Sequence, residues 1–315
     1  MDEAQVSLPV PPSGRQFRLR HGTQEAVVTE VGATLRSYRV SGLQVLAGFG
    51  GSERSRDGRG QLLLPWPNRI AGGSYQFQGQ RFQLPINDHQ GQNAIHGLAR
   101  WLPWVPEVVS PDSLALSLRL LPQPGYEFAL RMVAEYRLLD EGLQVSVSAT
   151  NLGSGALPWG LGAHPYLTLG SALVDELEVR VPAELYLTCD HSGIPHGSPM
   201  PVAGTDFDFR SWRRLGGLAL DTTFTGLTPD ERGRAVAELR LPSATDRLQL
   251  WMDASHHYLQ LFTGDALPDS RDRRRGLAVE PMTCAPNAFR SGDGLVTLGP
   301  GESARSTWGL ELQSG

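Results

Sequence analysis

The chain contains no lysine, so all 28 of its basic residues are arginines. Chemistry that needs a side-chain amine is therefore excluded, whether a Schiff base, a pyridoxal phosphate anchor or a P-loop. Cysteine is nearly as scarce. Cys189 and Cys284 make no disulfide framework and no thiolate metal cluster, and they read as two free thiols in a reducing compartment, with a single disulfide as the alternative. No uninterrupted apolar run approaches the roughly 18 residues of a membrane span. Charge of one sign is also missing: a net charge of −5 over 315 residues offers no basic surface for nucleic acid. The N-terminal MDEAQVSLPVPPSG is acidic, carries prolines and lacks an apolar h-region, so residues 1–14 are expected to be a loose segment and the protein cytoplasmic.

What the chain has in quantity is punctuation. Thirty-six glycines and 23 prolines break it at short intervals. Between them lie runs with a period of two: SLALSLRLL (113–121), FALRMVAEYRLL (128–139), LQVSVSATNL (143–152), RLQLWMD (247–253), YLQLFTG (258–264) and STWGLELQ (306–313). Such alternation marks strands with one buried face. DEG (140–142), between two of these runs, reads as a hairpin turn. No helical period extends beyond about two turns. The expected fold is all-β, a large antiparallel sandwich, with residues 1–315 forming one domain. The charge run PDSRDRRRG (268–276) reads as a solvated loop.

The eight histidines show no HExxH spacing, and nothing in their positions argues for a metal site. His96, in NAIHGLARW, and His164, in GLGAHPYL, stand out. Each has a glycine close by, which allows close backbone approach to a ligand, and each is embedded in apolar residues. Either could equally be a packed structural histidine. In LAVEPMTCAPNAF, Glu280 would share a strand face with Ala278 and Met282, where a carboxylate is costly unless it is paired or used; the alternative is a strand end that reaches water. Asp221, in LALDTTFTGL, has a similar setting, with an Asx-turn as its alternative. PWPNRI offers Asn68 and Arg69 as hydrogen-bonding groups suited to a polyhydroxylated ligand. It also offers Trp66 as a flat apolar face, unless the loop simply packs its own tryptophan. Arg100 reads as an exposed strand-end residue, or else as a contact for a charged ligand.

Six of these segments, PWPNRI, NAIHGL, GAHPYL, LDTTF, YLQLFTG and VEPMTCAPNAF, occur in the order found in the aldose 1-epimerases, or galactose mutarotases, and the chain resembles that family over about residues 15–313. PWPNRI and EPMT are similar to a bacterial branch, part of which is associated with other hexoses, including sulfoquinovose. The resemblance implies a galactose mutarotase-like supersandwich. It also implies a cofactor-independent, metal-free isomerase that interconverts hexose anomers, as a monomer or weak dimer without nucleic-acid or membrane partners. It makes His164 the general acid and Glu280 the general base, and puts His96 near the ring oxygen. Asn68, Arg69, Asp221 and Gln260 become substrate-binding residues. Many galactose mutarotases carry a His-Asn pair after the aspartate where this chain has Thr222 and Thr223, which opens the question of hydroxyl specificity. The same fold could also serve a non-catalytic sugar-binding protein, or an enzyme for a charged sugar.

Overall fold

The structure, a computed structural model, describes residues 10–88, 90–242 and 244–313. It is built almost entirely of antiparallel strands. The largest sheet has nine, in the spatial order Val105–Val109, Ser113–Leu120, Leu130–Leu138, Leu143–Asn151, Ser303–Gln313, Arg247–Met252, Ala235–Arg240, Glu178–Arg180 and Arg213–Arg214. The period-two runs of the sequence supply its long central strands. DEG closes the hairpin between Leu130–Leu138 and Leu143–Asn151, with Leu139 and Gly142 exchanging backbone hydrogen bonds. A four-stranded sheet is formed by the chain from Gln16 to Gln44. Among the described residues the one α-helix is the single turn Ala288–Ser291, and no helix is long and apolar enough to cross a membrane.

A second large sheet, of eight strands, carries Met200–Pro201, Ala183–Tyr186, Asp221–Leu227, Tyr258–Phe262, Leu277–Met282, Gly162–Ala163 and Leu62–Leu63 in that order, with Tyr166–Leu167 also pairing with Leu277–Met282. Alternation divides its two faces. Leu259, Leu261 and Val279 are fully buried in a continuous core that also holds Met132, Ala134 and Tyr136 of the nine-stranded sheet. Gln260 and Glu280, the residues between those apolar positions, therefore point to the opposite face.

Several local expectations change. Of the segment expected to be loose, residues 1–9 lie outside the described residues, and Ser13 is buried, its carbonyl accepting from the Val31 amide. Trp66 is no sugar platform: it is 2% exposed and packs against Phe289 in the core. The charge run is not simply solvated, because Asp272 pairs with the buried Arg59, and Arg274 bridges Asp175 and Asp265.

One crossing fixes the edge of the future site. After the two-residue ladder of Arg69–Ile70 with Ala94–Ile95, the chain turns through His96 and Gly97, both in the left-handed region at φ 63° and 68°. Leu98 and Ala99 then donate to the Leu64 carbonyl. A Cβ on Gly97 would stand 1.9 Å from that carbonyl oxygen, which is backbone and cannot step aside cheaply. Gly97→Ala is accordingly expected to destabilise the protein by about 2–5 kcal/mol, from left-handed strain and overpacking together; a chemical-denaturation midpoint equal to wild type would contradict this account of the crossing.

Candidate active site

The centre of the site follows from register. Gly162 pairs with Met282, and Tyr166 pairs with Ala278, on the same strand. The residues midway, His164 and Glu280, must therefore face one another, and His164 Nε2 lies 3.3 Å from Glu280 Oε1. Their side chains are 6% and 3% exposed. The row continues across the sheet: Glu280 pairs with Gln260, and Gln260 with Thr223, two residues from Asp221 on the same face. This face of the sheet is thus lined with polar groups because its polar residues fall on alternate positions in matching register.

Each imidazole is held differently. The Asn68 amide donates to His96 Nδ1 at 3.2 Å, while the Asn68 carbonyl accepts from the His96 amide at 2.9 Å. The neutral ring of His96 therefore carries its proton on Nε2. Asn68 can make this exchange because its backbone is left-handed, at φ 52°, a conformation asparagine tolerates. The His96 and His164 rings meet edge to face with centroids 5.4 Å apart, and His164 stacks on Tyr166 at 4.9 Å with the planes 9° apart. Gly58 makes room for the ring, since a Cβ there would stand 2.4 Å from His164 Cδ2. His164 Nδ1 and Glu280 Oε2 are buried without hydrogen-bond partners among the described residues, a state that native structures keep rare and that a ligand's hydroxyl groups can relieve.

A cavity of about 350 Å³ opens over this pair, lined by His96, His164 and Glu280 together with Asn68, Arg69, Arg100, Tyr166 and Asp221, among others. A second hollow of about 530 Å³ adjoins it, sharing Arg69, Asp88 and Asp221. Arg69 Nε donates to Asp88 Oδ2 at 2.9 Å. Six of the seven residues expected from sequence line the inner cavity. Gln260 is the exception: it is 3% exposed, its amide donates to Asp221 Oδ1 at 2.5 Å, and its carbonyl accepts from Thr223. Its bonds hold Asp221 in place. Asn68 does more than expected: its backbone holds His96, and its Oδ1 accepts from the Arg69 amide. Arg100 is not an exposed strand end but part of the wall. Tyr166 was legible as a neighbour of His164 by alternation; Gly58 and Arg59 carried no sequence signal. Among the described residues no three His, Cys, Asp or Glu side chains converge to hold a metal ion.

The electrostatics follow from burial. Loss of solvation drives Glu280 well above the usual carboxylate range, reinforced by the negative charge of Asp221 and opposed by Arg69. Burial pushes His164 down to about 3, with Arg100 and Arg59 adding to the effect. His96 is lowered well below an ordinary histidine by burial, then by His164, Arg100 and Arg69. Burial thus favours a protonated carboxyl and a neutral imidazole in contact at 3.3 Å. Because the folded protein holds the Glu280 proton more tightly than the unfolded chain, stability is lost as pH rises above about 4.5 toward the raised folded value. His164 acts with the opposite sign, and its stability is lost as pH falls below about 6.5 toward 3. Glu280→Gln is expected to remove the alkaline loss, so that its Tm advantage over wild type widens between pH 5 and 8; a Tm difference constant over that range would refute the raised carboxyl.

The family model for aldose 1-epimerase matches residues 15–311. The E. coli K12 protein YihR, described as uncharacterized, is 34% identical over 93% of this chain and 92% of its own length. The human galactose mutarotase is 30% identical over 65% of this chain and 64% of its own. Among solved structures, the GalM/aldose epimerase homologue of C. elegans superposes with a TM-score of 0.86 at 20% identity, covering 95% of this chain and 99% of that one. The galactose 1-epimerase of Lactobacillus acidophilus gives 0.80 at 23%, covering 95% and 94%. With the family model spanning nearly the whole chain and a supersandwich of the same architecture beneath it, this protein belongs to the aldose 1-epimerase family.

Proposed function

We propose that the protein interconverts the α and β anomers of a hexose by acid–base ring opening and reclosure, with His164 and Glu280 as the proton-exchanging pair. The observation that carries this reading is the pair itself: a buried imidazole and a buried carboxyl 3.3 Å apart, both lining a sugar-sized polar cavity. In opening, Glu280 as carboxylate takes the proton of the C1 hydroxyl, and His164 as imidazolium gives one to the ring oxygen. The C1–O5 bond breaks with its electron pair going to O5, and the O–H pair of the hydroxyl becomes the second C1–O bond. The step ends with neutral His164 and protonated Glu280, the form that burial favours, so the open aldehyde is reached without stranding a charge. Rotation about C1–C2 by about half a turn, then reversal of both transfers, closes the ring on the other face. Each such transfer contributes roughly 10²–10⁴-fold. His96 Nε2–H and Arg69 are donors for the ring oxygen and a neighbouring hydroxyl, and Asp221 accepts from sugar hydroxyls.

A specific feature favours a charged hexose. Arg100 lines the cavity, has no carboxylate partner among the described residues, and its Nε is buried without a hydrogen bond. Burial lowers its guanidinium to about 10. A cation held at such cost in the wall supports a substrate that brings its own negative charge, such as a sulfonate, carboxylate or phosphate on the hexose.

Polarimetry on freshly dissolved α-D-glucose, α-D-galactose and an anionic hexose tests both readings. His164→Ala and Glu280→Gln are expected to cut kcat by about 10²–10⁴-fold while sugar affinity stays within about tenfold. Near-wild-type kcat in either variant would remove the acid–base assignment. Binding without acceleration of any sugar would leave a non-catalytic carbohydrate-binding protein. For substrate choice, Arg100→Ala is expected to lower kcat/KM for the anionic hexose by about 10-fold or more and to spare the neutral ones; equal effects on both would count against the charged substrate.

A further inference from the structure

We propose that Arg59, clamped by Asp272, is a positioning residue that acts through Tyr166 to fix the plane and place of the His164 imidazole. The inference rests on the reading of His164 as a proton-exchanging group.

A working histidine is ordinarily oriented by a hydrogen bond to its second ring nitrogen. Here Nδ1 has no partner among the described residues. The ring is oriented by packing instead, against Tyr166, His96 and Gly58, and one short segment, residues 57–61, braces both the histidine backbone and the tyrosine. The Gly60 amide donates to the His164 carbonyl at 2.9 Å, and the His164 amide donates to the Gln61 carbonyl at 3.0 Å. Gly58 lies against the ring edge. The Tyr166 hydroxyl donates to the Asp57 carbonyl at 2.9 Å, fixing the far end of the ring on which His164 stacks. The Arg59 guanidinium lies over that tyrosine ring, 5.2 Å from its centroid.

Arg59 is itself held from outside. Its side chain is 7% exposed, and Nη1 reaches Asp272 Oδ2 at 2.9 Å. Ser55 Oγ donates to its backbone carbonyl. A cation over an aromatic face, desolvated and paired on its outer side, is a stronger contact than the same pair in water. The sequence from outside to inside is thus Asp272, Arg59, Tyr166, His164, with the loop once read as a solvated charge run supplying the outermost member. Nothing in this set touches a ligand cavity at the reacting end except His164 and Tyr166, so Arg59 works by placement. The positive charge of Arg59 also disfavours protonation of His164. The other groups that face or act on that imidazole are Glu280, His96, Tyr166 and Arg100, and Asp57 lines the same cavity.

The test is Arg59→Met, with Arg59→Lys as the conservative variant and Asp272→Asn as a milder one at a carboxylate that is 31% exposed. Two readouts are taken: kcat and KM for mutarotation across pH, and the titration of the His164 imidazole by ¹⁵N NMR, assigned with His164→Ala. Loss of placement is expected to lower kcat by about 10–100-fold with KM within about twofold. Loss of the charge is expected to move the His164 titration, and with it the acid limb of kcat/KM, to higher pH. Arg59→Lys is expected to return the limb to its wild-type position and to restore part of kcat. A folded Arg59→Met with unchanged kcat and an unmoved His164 titration overturns the proposal, even if its Tm has dropped. If Arg59→Met does not fold, Asp272→Asn decides: kcat lowered several-fold supports the clamp, and wild-type kcat overturns it. Absence of turnover on any sugar in the wild-type protein, with the His164 titration still moved by Arg59→Met, removes the mutarotase reading and leaves the placement of His164 by Arg59 standing.

Discussion

A carboxyl group cannot be buried at the centre of a sheet unless it is neutral, paired, or both, and Glu280 meets that demand with one partner. The 3.3 Å contact with His164 is the point on which the site is organised. It exists because two short strands, Gly162–Ala163 and Tyr166–Leu167, pair with the same partner strand on either side of the His-Pro step. It is tolerated because Gly58 leaves space where any side chain would collide. It is kept neutral because solvent is excluded from both groups. Shifting the register by one residue would send Glu280 into the apolar core and bring Val279 to the site.

The chain's lack of lysine gives this site a particular electrostatic character. Every fixed cation around it is a guanidinium, which stays charged near neutral pH even where burial lowers it, as at Arg100. Protons can therefore move only on the imidazoles and the carboxyls. The three arginines differ in how they are satisfied. Arg69 is bonded to Asp88 and spans both hollows; Arg59 is committed to Asp272 and the tyrosine; Arg100 has no counter-charge among the described residues. That gradation separates a guanidinium shared by two hollows, one held by a carboxylate and a tyrosine ring, and one in the cavity wall without a counter-charge among the described residues.

The strands were readable wherever one face met the core, because burial of every second residue writes itself into the sequence. The same logic made Glu280 conspicuous, a carboxylate out of place on an apolar strand. It failed where a side chain's partner lay far along the chain. Gln260 stands on the right face, but its bonds to Asp221 and Thr223 could not be read from the local pattern. Trp66 offered a flat face that the core had already taken. Asp272, inside a run of charges, carried no local mark of its buried partner more than 200 residues earlier.

By itself, the sequence determined the class of architecture, the absence of amine chemistry, and the set of residues able to exchange protons or hold hydroxyls. Alternation and composition are local properties, so they could be read without the fold. The tertiary structure alone decided which of those residues meet. Register across non-adjacent strands set His164 against Glu280, left-handed backbone turned Asn68 into the support of His96, and a charged loop was folded back onto Arg59. Those outcomes depend on long-range pairing and on the exclusion of water, and neither is a property of any short stretch of chain.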